Sequence, residues 1–324
     1  MPIYNSISAA YIPQYPGIIG IQEKIEVAAR TCYKSEGKIE YDEDGRSLTA
    51  EAFCDKILNV YKHQSCAEHG AVYLYYQTSG PELTYYDSAF MSFFETNPYS
   101  RINVHYGLAN IKMYITTNYR VIIENKLEDY LQYLCNPTPY HELRHTVRVF
   151  TDRGVSAESN RHRVNSPSER STRYVNYGNG IRVTVPTDFT MEEVQRYANR
   201  ITHKGMCEYI ALEDTSLWEP LDYWLYAIYA TEFSYVNLLR LGWKPQQARR
   251  VLPFSTETEL VVSAFESDWV KYFGQRYFGS TGTPHPDMKE TCKKIMDAFM
   301  DAGIHEPVKK AIELYGDNNT IVAS

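Results

Sequence analysis

The sequence predicts a mixed fold, dominated by helices with a few short strands between them. Three observations point there. The 324 residues are 44% hydrophobic and 23% charged, a globular composition for one large domain or two small ones. Apolar residues recur at helical spacing in several long segments, and short aromatic and β-branched runs lie between them. In order along the chain, residues 51–63 place Phe53, Ile57 and Val60 with Tyr61 on one helical face. Residues 71–77, AVYLYYQ, favour a strand, and 113–125 read as a strand that is bulged or passes into a helix. HTVRVF, 145–150, alternates as a strand does. Thr190 and Glu193 have capping-box spacing and should open a helix. A long helix fills 221–241 and stops at Gly242. Asp287 with Glu290 repeats the start signal ahead of a face made by Met288, Cys292, Ile295, Met296 and Phe299. Pro307 and Gly316 bracket a final short helix. No repeat, low-complexity tract or linker stands out.

Composition narrows the function. No apolar stretch approaches the roughly 20 residues of a membrane span, and the N-terminus lacks a secretory pattern, so the expected location is cytoplasmic and no membrane partner is expected. Six cysteines are scattered without CxxC or Cys/His spacing, which indicates reduced thiols and neither a disulfide framework nor a metal site. A net charge of -7 argues against a protein that coats nucleic acid. Within that acidic chain, Arg144, Arg148, Arg153, Arg161, Arg163, Arg170 and Arg173 cluster with His145 and His162. Such a cluster points to a confined anion site where guanidinium forks hold phosphate or carboxylate oxygens. The 29 tyrosines read mainly as core and interface residues with a polar tip.

The densest set of polar groups is RHRVNSPSERSTRY, Arg161 to Tyr174. Pro167 interrupts any helix there, and the serine-rich surroundings favour a loop that offers N–H groups, hydroxyls and guanidinium forks to a nucleotide phosphate. Arg-His-Arg, seven intervening residues and Ser171, with Glu169, Arg173 and Tyr174 at matching offsets, resembles the signature of the flavin-dependent thymidylate synthases. Other stretches are similar to that family in the same order: AARTCYKS at 28–35, His63 before Glu68-His69, QARRVLP at 247–253, and the helix ending in FGQR at Arg276. The bland alternatives are a solvated basic triplet, a helix-end histidine at 63, and surface ion pairs for Arg249 and Arg276. His69 reads as structural.

The resemblance implies an α+β fold, helices flanking a central, mostly antiparallel sheet, in one domain spanning 1–324. It further implies an insertion at about 80–145 and a helical extension from about 285. It assigns His63, Arg161, Arg163, Val164 and Glu169 to the cofactor. Glu158, Glu169, Ser171, Thr172, Arg173, Tyr174, Arg249 and Arg276 go to the nucleotide. Arg276 and Ser171 are the catalytic pair, with Ser171 binding and orienting, since a hydroxyl without a neighbouring base is unreactive. The implied reaction is methylation of deoxyuridylate (dUMP) to dTMP, with FAD as cofactor and NADPH and methylenetetrahydrofolate as co-substrates. The implied assembly is a homotetramer with sites shared between subunits. Departures are visible too. Cys32 stands where a flavin-contacting serine is often found, Glu158 replaces a glutamine, and Phe265, Ser267 and Lys271 replace asparagines and arginines. STGTPHPDM replaces the usual segment after the last arginine. Two other readings accompany this one: a related flavin–folate enzyme modifying another pyrimidine nucleotide, and a non-catalytic nucleotide- or RNA-binding relative.

Overall fold

A computed structural model describes residues 1–162, 165–204, 216 and 218–316; Arg163, Val164 and Cys207 lie outside the described residues. The elements in order are β1 (Ile3–Asn5), β2 (Ser8–Tyr11), α1 (Gly17–Tyr33), α2 (Ala50–Asp55), β3 (Ala71–Gln77), α3 (Tyr85–Thr96), β4 (Arg101–Tyr106), β5 (Ile111–Asn118), α4 (Tyr119–Glu124) and β6 (Arg144–Asp152). They continue with α5 (Arg153–Ser159), β7 (Ser166–Glu169), β8 (Arg182–Thr184), α6 (Met191–Lys204), α7 (Pro220–Arg240), α8 (Pro245–Ala248), β9 (Glu257–Phe265), α9 (Glu266–Arg276), α10 (Pro286–Asp301) and α11 (Glu306–Tyr315). The architecture is α+β. The strands fall into three sheets, mostly antiparallel as anticipated, a division that leaves the four-stranded sheet as the largest. β2-β6-β9-β7 form an antiparallel four-stranded sheet, β3-β5-β4 an antiparallel three-stranded one, and β1 pairs with β8 in parallel.

The division follows from two cores. On one face of the larger sheet Val147, Val149, Leu260, Val262 and Ala264 meet Trp269, Phe273, Met288, Cys292, Ile295 and Phe299 from α9 and α10. Trp269 also donates its indole N–H to the His145 carbonyl at 3.2 Å, so the one polar atom of that ring is satisfied inside the core. The smaller sheet packs Leu74, Met113 and Ile115 against Ile21, Ile25, Cys54, Ile57, Phe90 and Phe94. Every residue of β9 is buried, yet its other face carries Glu257, Glu259 and Ser263, so that face needs buried polar partners.

Local rules hold at most boundaries. β3 spans the predicted 71–77, and the 113–125 segment is a strand passing into a helix, with the Asn118 side chain accepting from Val121 N at 3.1 Å. Thr190 and Glu193 form the capping box of α6. α7 begins on Pro220, and Gly242 beyond it sits at φ +89°, a left-handed position suited to glycine. Three expectations need correction. In 51–63 the chain passes from α2 into a π turn over Lys56–Val60, which rotates the face: Cys54, Ile57 and Leu58 are buried while Val60 and Tyr61 are exposed. α10 starts at Pro286, a residue suited to the first helical position, with His285 as its cap; Asp287 instead accepts from Thr187 N and Oγ1, both at 2.7 Å. The 161–174 stretch is not loop throughout, because Ser166–Glu169 forms β7. Pro167 is tolerated there because β7 is an edge strand and the missing N–H faces no partner.

Phe299 is fully buried against Trp269, Phe273 and Tyr11. Phe299→Ala should therefore destabilise the protein by about 3–5 kcal/mol in urea unfolding, the usual cost of emptying an aromatic site.

Candidate functional site

The site is built outward from the β7–β9 pairing. Glu169 ends β7, and its Oε1 accepts from Arg153 Nη1 at 2.8 Å, Ser156 Oγ at 2.7 Å and Thr258 Oγ1 at 2.9 Å. Arg153 also donates from Nη2 to the Arg170 carbonyl at 2.8 Å, so α5 and the strand end are locked together. The chain then turns: Ser171 N donates to the Cys32 carbonyl at 3.0 Å, Val175 N donates to the Ser171 carbonyl at 3.0 Å, and Ser171 Oγ accepts from Arg173 N at 3.2 Å. Arg173 and Tyr174 are left exposed.

The same turn gathers residues from far along the chain. The Tyr174 ring lies 5.4 Å from that of Tyr33, which stacks on His63 at 5.8 Å and 5° and shares a hydrogen bond with its Nδ1. His63, the AARTCYKS segment and the arginine motif thus converge on one surface, with planar rings facing solvent. Cys32 sits beneath it; its Sγ donates to the Ala28 carbonyl at 3.7 Å, and its hydrogen bond with Cys66 lowers its pKa while raising that of Cys66.

Two clefts meet at Phe254. One, of about 280 Å³, is lined by Arg153, Thr172, Arg249, Arg250, Leu252, Pro253 and Thr256 as well. Arg249 Nη1 donates to Thr172 Oγ1 at 3.3 Å, so this arginine is oriented by a motif residue, and among the described residues no carboxylate pairs with it. The second cleft, of about 370 Å³, is lined by Gly154, Val155, Glu158, Ser255, His285 and acidic Asp152 and Asp287. Glu158 accepts from Arg276 Nη1 at 2.7 Å, and its carbonyl accepts from Arg276 Nη2 at 2.9 Å. The pair is an ion pair that crosses from α5 to the end of α9.

Not every predicted residue joins this assembly. Arg161 is exposed just past α5, and Arg163 and Val164 lie outside the described residues. The reading of the basic cluster as one anion site needs correction. Arg148 and Arg170 are engaged by Glu259 and Glu257, and Arg144 is buried with its guanidinium 4.8 Å from the Phe265 ring centroid. Phe265 itself is buried between Arg101 and Arg144, Ser267 N donates to Glu142, and Lys271 pairs with Asp268 at 3.5 Å. Arg250 and Phe254 were not singled out by sequence reasoning. Arg250 had a signal, its place beside Arg249. Arg153 was visible in the cluster, but its role as clamp of Glu169 depends on the fold.

His69 is wholly buried and bridges the sheet, with Nε2 2.9 Å from Ser168 Oγ and Nδ1 2.8 Å from Ser263 Oγ. Burial, then the positive charges of Arg144 and Lys24, push its pKa down to about 3, so the ring is neutral and its hydrogen bonds tie β7 to β9.

Together the fold and site define an α+β protein with an arginine-lined cleft and a nearby cluster of aromatic rings, two of them exposed, suited to a phosphorylated ligand that carries a planar group. Residues 106–302 match the family model described as thymidylate synthase complementing protein, and the chain belongs to that family. Over 150 residues it is 28% identical to a probable flavin-dependent thymidylate synthase of Paramecium bursaria Chlorella virus 1, covering 46% of this chain and 64% of the viral protein. Among solved structures it is similar to thymidylate synthase X of Helicobacter pylori, in complex with FAD and dUMP, at 14% identity and a TM-score of 0.38. That likeness covers 94% of this chain and 99% of the other. It is also similar to a UMP/dUMP methylase of Streptomyces cacaoi bound to 5-bromo-dUMP, at 14% identity and a TM-score of 0.41, over 97% of this chain and 98% of the other. Among the described residues no helix is long and apolar enough to cross a membrane.

The His69 environment sets a pH dependence. Above about pH 6.5 the ring is neutral folded or unfolded; as pH falls toward 3 the unfolded chain takes up a proton that the folded one refuses. Stability should drop through that window with a slope of about 1.4 kcal/mol per pH unit from this residue. Urea titrations of His69→Gln between pH 7 and 4 should show a slope shallower by one proton.

Proposed function

We propose that this protein is a flavin-dependent thymidylate synthase that methylates deoxyuridylate at carbon 5. The observation that carries the reading is the convergence of Glu169, Ser171 and Arg173 with His63 and Tyr33, beside the cleft that Thr172 and Arg249 share. Sequence spacing alone does not require these segments to meet.

The residues present fit a flavin. The exposed Tyr174 and His63 rings, with half-buried Tyr33 stacked on His63 between them, offer ring faces to an isoalloxazine, and Arg161 is exposed for its anionic portion. Arg163 and Val164 complete this set in the proposal. FAD, when bound and reduced by NADPH, supplies the hydride. The chain's own groups bind and orient. Arg153, Arg249 and Arg250 line the place for the nucleotide phosphate, where guanidinium groups bind oxygens through charge-assisted hydrogen bonds. Glu169 is fixed by three donors through Oε1, leaving Oε2 for the nucleotide or cofactor. Ser171 Oγ takes part in the turn through Arg173 N, and no hydrogen bond joins it to an imidazole or amine among the described residues. Its role is to orient the ring, since an unactivated hydroxyl is a poor nucleophile. Arg276 is assigned to the uracil oxygens, where its charge polarises the ring and favours the electron-rich, enolate-like form from which carbon 5 bonds to the one-carbon unit of methylenetetrahydrofolate. Glu158 holds that guanidinium in place.

The wider reading is a cytoplasmic homotetramer in which a neighbouring subunit closes each site; the exposure of His63, Tyr174 and Arg173 supports it. The chain is taken as one domain, with an insertion at about 80–145 and a helical extension from about 285. The separate core of α3, β4 and β5 with β3, and the packing of α10 and α11 against the large sheet, support that division.

Release of tritium from deoxyuridylate labelled at carbon 5, with FAD, NADPH and methylenetetrahydrofolate supplied and then omitted singly, tests the activity. Release that depends on each component, with thymidylate as product, is the expected result. No release under anaerobic, FAD-saturated conditions sinks the proposal. Separately, Arg173→Ala should weaken deoxyuridylate binding by about 1–3 kcal/mol in calorimetry, the scale of a lost charge-assisted hydrogen bond. Unchanged affinity would remove Arg173 from the site.

A further inference from the structure

Among the described residues four Lys or Arg side chains are buried, and two of them are ion-paired. Arg30 meets Glu26 at 2.7 Å, and Arg170 meets Glu257 at 3.3 Å as well as Glu259. Two depart from that pattern. Lys24 on α1 is 4% exposed and donates its ammonium to the Ile12 carbonyl. Arg144 at the start of β6 is 6% exposed and donates from Nη2 to the Glu68 carbonyl at 3.1 Å and to Ser166 Oγ at 3.4 Å, while its Nε is buried without a partner. Among the described residues no carboxylate lies within ion-pair distance of either. The acids nearest in charge to Arg144 are taken elsewhere, Glu68 by Arg120 at 2.6 Å and Asp268 by Arg101 at 3.3 Å.

Both cations line one cavity of about 340 Å³, at the lower end of the size of small-molecule sites. Burying a charge without a counter-ion is costly, and two in one cavity create a local demand for negative charge. Burial and the Arg144 charge pull the Lys24 ammonium down to about 7, a shift that a bound anion would reverse. The rest of the lining is mixed: Ile21, Leu134 and Ile304 supply an apolar patch, while Gln14, Asn136 and His145 are polar. Two cations beside an apolar patch suit a carboxylate on an apolar body.

We propose that this cavity binds a small organic carboxylate, its oxygens held between Lys24 Nζ and Arg144 and its apolar body against Ile21, Leu134 and Ile304. No residue of 161–174 lines it, so the site is separate from the clefts at Phe254 and does not rest on the synthase reading.

The test uses the full chain with benzoate and its neutral isostere benzamide as probes, followed by ligand-observed NMR and calorimetry. Benzoate should bind at least about tenfold more tightly than benzamide, a preference set by charge alone. Lys24→Met should reduce that preference, leaving Arg144 as the one cation, and leave the ligand-free melting temperature equal or higher, because an unpaired buried ammonium is removed. Ile304→Trp, which fills the cavity and keeps both cations, should abolish benzoate binding and guards against a Lys24 variant that fails to fold. Equal affinity for the two probes, absence of saturable benzoate binding, a preference undiminished in folded Lys24→Met, or benzoate binding that survives in folded Ile304→Trp would overturn the proposal. A lowered melting temperature in Lys24→Met would assign the lysine to holding Ile12 and would overturn it as well.

Discussion

Arg170 is the constraint on which the site depends. It is buried at the end of β7 and reaches Glu257 and Glu259 on the polar face of β9, while its backbone N donates to the Glu259 carbonyl at 2.8 Å. Burial pushes the Glu259 carboxyl upward in pKa, and the charges of Arg170 and Arg148 oppose that rise. Removing one member would leave the others charged and buried, a loss of about 3–5 kcal/mol in comparable cases. The network therefore fixes where β7 ends and where the turn through Ser171 begins. Thr31 from α1 extends it, donating to Glu259 Oε1 at 3.4 Å.

Everything exposed in the site is carried by that buried frame. Glu169 precedes Arg170 and points to the opposite side, into donors from α5 and β9, because successive strand residues alternate in direction. Ser171 follows and is tied to Cys32, which brings the C-terminal end of α1, and with it Tyr33 and His63, against the motif. His69 adds a second tie between β7 and β9 on the same polar face. The helices α9 and α10 press on the other face, and α9 ends where Arg276 can meet Glu158. A rigid core below and a short edge strand above together hold long polar side chains in position at modest entropic cost.

Much of the fold was legible along the chain. AVYLYYQ became β3 without adjustment, and Thr190 with Glu193 formed the expected cap, since both rest on interactions within a few residues. Where the sequence misled, a longer-range effect intervened. Pro167 reads as a strand breaker, yet an edge beside β9 accepts it. Asp287 looks like a helix cap, yet Thr187 from a distant loop claims its carboxylate and Pro286 opens the helix. Val60 has the spacing of a core residue, yet a π turn carries it to solvent.

The candidate site divides in the same way. By itself the sequence determined which residue types are available, in the arginine-serine motif and in QARRVLP, because motif spacing is a one-dimensional property. Only the tertiary structure decided which of those groups are free to meet a ligand. Arg170 looks like the other arginines of its cluster, but its counter-ions stand 87 and 89 residues away on β9. Arg144 and Lys24 were equally unreadable, since their lack of a counter-ion among the described residues appears only when α1, three strands and the loops beside them enclose one cavity. Charge on a side chain is local, whereas its compensation depends on what folding brings within a few ångströms of it.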